Sequence, residues 1–367
     1  MEAEDAAAHR LLEKALRAPI RFREANILKN PKAHTAGVVR YLCAAAQNLH
    51  EKKPRFSAEI ARTAYEIARS LEEDPQTRRW CIGLSLREYA NALKYLGHFA
   101  EALKALAQAE ILFDDSPGSD PYDVAILWYI RGMVFVELER YGDAERLARK
   151  CARVFRGYGD SFRELCARLL QAWCLSHSGH HAKALPVYQY VEAKARAEGQ
   201  RNILARALHA AAGVSLNNGA LEKAEQQYTE ALVLFDELGL VTEKARAAWF
   251  LALVLVQRGD LAAGAQSLDV VREEPRRLGL HNDHALATLD WAAARLALGE
   301  MEGVAAECRT ILIRFESEGM MRNARLALAY VHEALARGQA TPALLKHVRL
   351  YLELLPTRPD VAFTPLQ

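Results

Sequence analysis

Nine glycines stand twenty residues apart in this chain: Gly159, Gly179, Gly199, Gly219, Gly239, Gly259, Gly279, Gly299 and Gly319. Each closes an amphipathic stretch rich in Ala and Leu. Glycine ends a helix in the left-handed conformation at little steric cost. A glycine every twenty residues therefore predicts helices of about fifteen residues, roughly 23 Å long, joined by tight turns. Two such helices form one unit of forty, and a chain built from these units is an all-α array of hairpins.

The length of 367 residues would suggest two or three globular domains. An array escapes that limit, because each unit packs on its neighbours and the core grows in one dimension. Charged residues make up 26 % and hydrophobic ones 51 %, and the net charge is +2. That balance predicts a soluble protein and gives no reason to expect a nucleic-acid partner. The basic residues of the first sixty positions, Arg10 to Arg55, are scattered along helical patterns and read as a solvated face. The six cysteines include no C-x-x-C pair and sit in helical patterns, as buried thiols do in reduced compartments. The acidic start, Met1-Glu2-Ala3-Glu4-Asp5, does not look like a secretory signal. The longest apolar stretch, Ala247 to Val256, is too short for a membrane helix. The expected location is the cytoplasm.

A small residue recurs near the start of each second helix: Ala61, Ala102, Ala144, Ala184, Ala224, Gly264 and Val304. Four residues later stand Tyr65, Leu106, Ala148, Tyr188, Tyr228, Leu268 and Cys308, on the same helix face. The small side chain lets the two helices of a hairpin approach, and the larger one fills the space beside it. Within this frame Trp128, Gly132, Phe135, Tyr141 and Ala144 make one motif; Leu96-Gly97, Phe99 and Ala102 make a second, and Gly219, Leu221, Ala224, Tyr228 and Ala231 a third. These positions resemble the tetratricopeptide repeat, an aromatic, then Leu-Gly, then an aromatic on the first helix, with Ala and an aromatic on the second. The forty-residue period is similar to an extended variant found in bacterial peptide-sensing regulators, kinesin light chains and sensor modules of transcription activators. The resemblance implies a right-handed α-solenoid of seven or eight hairpins over residues 34–355. Residues 1–33 would form a helical cap, its helix over 6–30, and residues 356–367, with three prolines, an extended tail. The segment from Asp114 to Asp123 is an insertion, read as a surface turn.

Cys174, His177, His180 and His181 have metal-ligand types at short spacing. Gly179 among them is the repeat's own turn glycine, and His181 replaces the Tyr141, Leu221 and Leu261 of sister repeats, so the cluster reads as a turn and no metal is expected. The same holds for His281 and His284. No phosphate loop, dinucleotide fingerprint, zinc-protease motif or nucleophile elbow occurs, so neither catalysis nor a cofactor is expected.

In the family resembled, the first helices of successive repeats line a concave groove. Superposing the repeats projects onto it Arg87, Asn91 and Lys94; Tyr129 and Met133; Leu169, Trp173 and His177; Arg206, His209 and Asn217; and Trp249 and Leu253. Aromatic and Met side chains among Arg, Asn and His suit a peptide-recognition groove. Trp173 and Trp249 fit groove and core equally well. The leading reading is a non-enzymatic scaffold or adaptor that takes a peptide or helix from a protein partner, in bacterial regulation or signalling. The alternative is a regulator switched by a peptide ligand and acting on a separate effector, a transcription factor, sigma factor or protease. Residues 1–33 are too short for a DNA-binding helix-turn-helix, and equivalent positions show no polar code for RNA.

Overall fold

The helices close on one recurrent two-residue turn. Gly159 has φ of +73°; its N–H bonds to the Arg156 carbonyl at 3.1 Å, and the next N–H, of Asp160, reaches back to the Phe155 carbonyl at 3.0 Å. Two carbonyls that a helix end leaves unpaired are thereby satisfied. Asp160 then caps the following helix, its Oδ1 accepting from the Arg163 N–H at 2.9 Å. The same reach-back bond runs from Gln200 to Ala195, from Ala220 to Ser215 and from Leu240 to Phe235.

The computed structural model describes residues 27–114, 120–317, 322–355, 358 and 361–366. Most of the expected cap helix over 6–30, the rung at Gly319 and the insertion's residues 115–119 lie outside them. Two compact units divide the chain, one up to Ser178 and one from Gly179. The first holds α1 (Ala36–Gln47), α2 (Pro54–Arg69), α3 (Pro75–Tyr95), α4 (Phe99–Asp114), α5 (Pro121–Glu137), α6 (Tyr141–Gly157) and α7 (Ser161–His177). Each of these packs on the next in sequence, and α1, α3, α5 and α7 also pack on one another in that order.

The second unit holds α8 (His181–Ala197), α9 (Arg201–Asn217), α10 (Leu221–Glu237), α11 (Val241–Arg258), α12 (Leu261–Val271), α13 (Glu273–Arg277), α14 (His281–Ala297), α15 (Val304–Ser317), α16 (Arg322–Ala336) and α17 (Pro342–Leu354). Here α9, α11 and α14 form the inner row, and α14 also packs directly on α17. The stretch between Gly259 and Gly279 is expected as one helix and is found as α12 and α13, parted at Arg272. Pro275 is the physical reason: it lacks the N–H that would bond to the Val271 carbonyl.

The anchors Ala61, Ala102, Ala144, Ala184, Ala224 and Val304 are all fully buried, as are Leu106, Ala148, Leu268 and Cys308 four positions on. At Gly264 the helices come closer still. A methyl group there would sit 2.5 Å from Val256 Cγ2 and 3.0 Å from the Val256 backbone nitrogen. Gly264→Ala is therefore expected to overpack the α11–α12 hairpin and destabilise it by about 1–3 kcal/mol, read as a lower melting temperature. An unchanged melt would show that the two backbones have room to part.

Glu139 stands twenty residues before Gly159, on the rung where the glycine ladder is broken. It is the one non-glycine with positive φ among the described residues, at +55°, and the reach-back bond from Arg140 to Phe135 still forms, at 2.8 Å. A left-handed L-residue costs about 1–2 kcal/mol, partly offset by the smaller entropy that a side-chain-bearing residue loses on folding. Glu139→Gly is expected to raise the melting temperature. A lower one would mean that the entropy outweighs the strain.

Candidate functional site

The inner row of the first unit presents one face from each of three helices. Spacings of three and four residues bring Arg87, Asn91, Lys94 and Tyr95 into line on α3, and Ile126, Tyr129, Ile130 and Met133 on α5. Phe162, Arg163 and Cys166 do the same at the start of α7, and Gln47, His50 and Glu51 approach from the end of α1 and the loop after it. With Glu88 and Phe155 these residues, Lys94 excepted, line a cavity of about 330 Å³, at the lower end of the range for small-ligand sites. Ile126, Ile130, Met133, Phe155 and Phe162 make its apolar surface, and most of the polar groups stand on the α1–α3 side, with Arg163 facing them from α7.

Those polar groups are mostly satisfied internally. Arg87 donates from Nε to Glu88 Oε1 at 2.8 Å and from Nη1 to Asp123 Oδ1 at 3.2 Å, while Asp123 Oδ2 accepts from the Trp80 indole at 3.0 Å. Only 11 % of the Arg87 side chain and 4 % of that of Glu88 is exposed, so removing Arg87 would leave the Glu88 charge buried and uncompensated. Tyr95 donates to Glu51 at 2.8 Å and stacks on the His50 ring at 5.6 Å between centroids. Burial holds the His50 imidazole below its ordinary pKa, against the opposing pull of Glu88, so it is neutral at neutral pH.

Two groups beside the cavity lack such partners. Asn91 Nδ2 lies 3.0 Å from His50 Nε2, but its Oδ1 is buried without a hydrogen bond. The Lys94 ammonium sits 3.8 Å from the Tyr95 ring centroid and 3.6 Å from Met133 Sδ, and no carboxylate among the described residues pairs with it. Burial pulls it down to about 8, opposed by the more distant Glu51 and Glu137. A buried acceptor without a donor and a half-buried cation without a carboxylate are costs that a bound partner could offset.

The structure thus brings together Arg87, Asn91, Lys94, Tyr129 and Met133 of the expected groove. Further along the same unit, Trp173 is half-buried and stacks on His177 at 3.6 Å, with Tyr141 meeting its edge at 5.7 Å. His177 Nδ1 lies 3.0 Å from the Trp173 carbonyl. His50, Glu51, Tyr95 and Phe162 also belong to the pocket and are absent from the sequence projection. Tyr95 and Phe162 carried a signal, an aromatic on a first helix, whereas His50 and Glu51 come from an irregular loop with no repeat position.

The second unit corrects part of the expectation. Trp249 is only 3 % exposed; its indole donates to Asp290 at 3.0 Å, and Asp290 holds Arg349 of α17 at 2.6 Å. It joins three helices and belongs to the core. His209 is half-buried, its ring turned among those of Tyr228, Phe235 and Phe250 at 5.3, 6.0 and 5.7 Å. Leu253 is half-buried against the same core. Arg206 is exposed but engaged by Glu243 at 2.8 Å and Asn202 at 2.9 Å, and Asn217 is exposed at the end of α9.

Among the described residues no three His, Cys, Asp or Glu side chains converge as metal ligands, and no helix is long and apolar enough to cross a membrane. Burial pushes the Cys174 thiol up to about 12, so it is protonated at neutral pH.

No protein-family model matches the chain, and no curated protein matches it in sequence. Solved structures do match. The apo form of RapI gives a TM-score of 0.66 at 10 % identity, over 98 % of this chain and 99 % of that one. A signal transduction ATPase with numerous domains and a tetratricopeptide repeat sensor, from Pyrococcus horikoshii, gives 0.64 at 16 % identity, over 97 % of this chain and 53 % of that one. The Rap conjugation gene regulator of the plasmid pLS20, in complex with the Phr* peptide, gives 0.55 at 14 % identity, over 90 % and 98 %. The fold is that of the tetratricopeptide-like helical repeats. Its repeat places the first helices in one row, and the pocket described above is built on that row.

Burial lowers His209 and His284 to about 4 each, the latter only 3 % exposed. The unfolded chain takes up these protons below about pH 6.5 and the folded chain does not, so stability falls as pH drops from about 6.5 towards 4. His209→Phe fits the surrounding aromatic rings and removes one of the two sites. It is expected to lose less melting temperature than the wild type between pH 6.5 and 4. An identical pH dependence would show that His209 reaches solvent protons in the folded state.

Proposed function

We propose that this protein is a non-enzymatic, cytoplasmic scaffold of bacterial regulation that binds a peptide or helix of a partner protein, with the pocket between α3, α5 and α7 as its anchor site. The observation that carries the reading is the combination in that pocket: an apolar surface of Ile126, Ile130, Met133 and Phe162 beside the unpaired Asn91 Oδ1 and the Lys94 ammonium. An apolar side chain of the ligand would fill the cavity. A main-chain N–H would satisfy Asn91, and an acidic group would neutralise Lys94. In this reading the array over 34–355 does the binding, with 1–33 as its cap and 356–367 as its tail.

The fold supports the proposal, since the pLS20 regulator with this fold is seen in complex with the Phr* peptide. The same likeness, to an apo form and to a peptide complex, favours one second reading, in which the bound peptide switches the protein's affinity for a separate effector.

The test is peptide-library selection against the immobilised protein, followed by calorimetric titration of the winners. Tyr129 and Phe162 line the cavity, and Phe162 is 58 % exposed, so truncating it leaves the core intact. Tyr129 packs on the core around Phe155, so the Tyr129→Ala, Phe162→Ala double variant is expected to melt somewhat lower and, at temperatures where it is folded, to bind at least about 30-fold more weakly, about 2 kcal/mol. Winners that bind the folded double variant at full affinity would place recognition elsewhere.

A further inference from the structure

Residues 361–366 lie along the α16–α17 hairpin as an extended peptide. Val361 and Phe363 are half-buried and pack on the core of the second unit, while Ala362 and Thr364 between and after them are exposed, the alternation of an extended chain. The Phe363 ring sits among Tyr351 at 5.0 Å, Tyr330 at 5.5 Å and His347 at 5.7 Å. The same three side chains hold the backbone. The Tyr351 hydroxyl donates to the Val361 carbonyl at 2.7 Å, His347 Nε2 to that of Thr364 at 2.8 Å and the Tyr330 hydroxyl to that of Leu366 at 3.2 Å.

The division of labour among these contacts says what the surface reads. His347 and Tyr351 are four residues apart on one face of α17, and Tyr330 faces them from α16. All three donate to main-chain carbonyls, which any extended peptide carries. Specificity is left to Val361 and Phe363, an aliphatic residue two positions before an aromatic anchor. The host thus provides aromatic walls and a row of donors to an extended ligand, the arrangement of a peptide-recognition surface. The hold is also light: Ala362, Thr364, Pro365 and Leu366 remain exposed.

We propose that the α16–α17 face is a second peptide-binding site, occupied in cis by residues 361–366, and that an extended partner segment with an aliphatic residue two positions before a phenylalanine takes their place. Only six residues separate α17 from Val361, so the tethered segment competes at a high effective concentration. The site is closed until a partner outcompetes it or the segment is released. Nothing in this proposal depends on the pocket of the first unit.

The experiment uses the full chain and a fluorescent synthetic peptide with the sequence of residues 359–367. Phe363→Ala in the chain removes the tethered anchor and is expected to bind the peptide at least tenfold more tightly than the wild type. A peptide with Ala in place of its Phe is expected not to bind. A folded Phe363→Ala chain that binds no better than the wild type, or that binds both peptides alike, would overturn the proposal and leave the segment a permanent seal. If that variant does not fold, 4-fluorophenylalanine at position 363 of the otherwise unaltered chain gives the same answer. Millimolar unlabelled peptide is expected to move its 19F resonance to the free position, and an unmoved resonance would overturn the proposal.

Discussion

The left-handed residue that follows most of the described helices sets the terms for the rest of this molecule. It lets two successive N–H groups turn back onto the closing helix, and the second of those residues can begin the next helix at once, as Asp160 does. A connection of two residues leaves neither length nor freedom for alternative docking, so consecutive helices must pack on one another. Because the turn recurs every twenty residues, the positions that face inward recur as well. The small residues at the hairpin crossings then follow from sterics: a closely fixed crossing favours a small side chain, and at Gly264 there is no room even for a methyl group.

This regular frame explains why most side chains of the candidate site lie on the first helices. In the first unit α3 packs on α4 and also on α1 and α5, so its side chains are shared between a hairpin interior and an inner surface. The inner surface carries polar groups that are held in advance. Arg87 is locked by Glu88 and Asp123, and the His50 ring is held by Tyr95 stacking and Asn91. Pre-ordered side chains lose little entropy when a ligand arrives. Asn91 Oδ1, without a hydrogen bond, and Lys94, held by the Tyr95 ring and Met133 but by no carboxylate among the described residues, therefore stand in a rigid setting.

The second unit uses similar residue types for another purpose. Trp249, Asp290 and Arg349 tie α11, α14 and α17 into one core, and burial raises the Asp290 carboxyl above its usual range despite the opposing Arg349. The Arg349 guanidinium and the Trp249 indole oppose that rise, and the Asp290–Arg349 pair fixes the α14–α17 contact. The segment 361–366 then lies on a hairpin whose position that contact sets.

The architecture was legible in the sequence because it rests on local chemistry. A glycine that must adopt positive φ and a small residue at a close crossing each act through their own backbone or nearest neighbours, and each has a fixed spacing that a sequence displays, whereas the break before Pro275 was not legible in it, and Pro186 sits inside an unbroken α8. The broken rung at Glu139 could be located the same way, though its φ could not. The allocation of first-helix side chains between pocket and core was decided only in the tertiary structure. These helices are covered on more than one side, so apolar residues occur around most of their circumference and periodicity no longer separates inside from outside. Tyr129 and Trp249 carry the same sequence signal, an aromatic on a first helix, yet one lines a cavity and the other is sealed by Asp290 and Arg349, which lie 41 and 100 residues further along the chain. The loop residues His50 and Glu51 enter the pocket only because α3 stands beside them, a proximity between distant parts of the chain that no local pattern encodes.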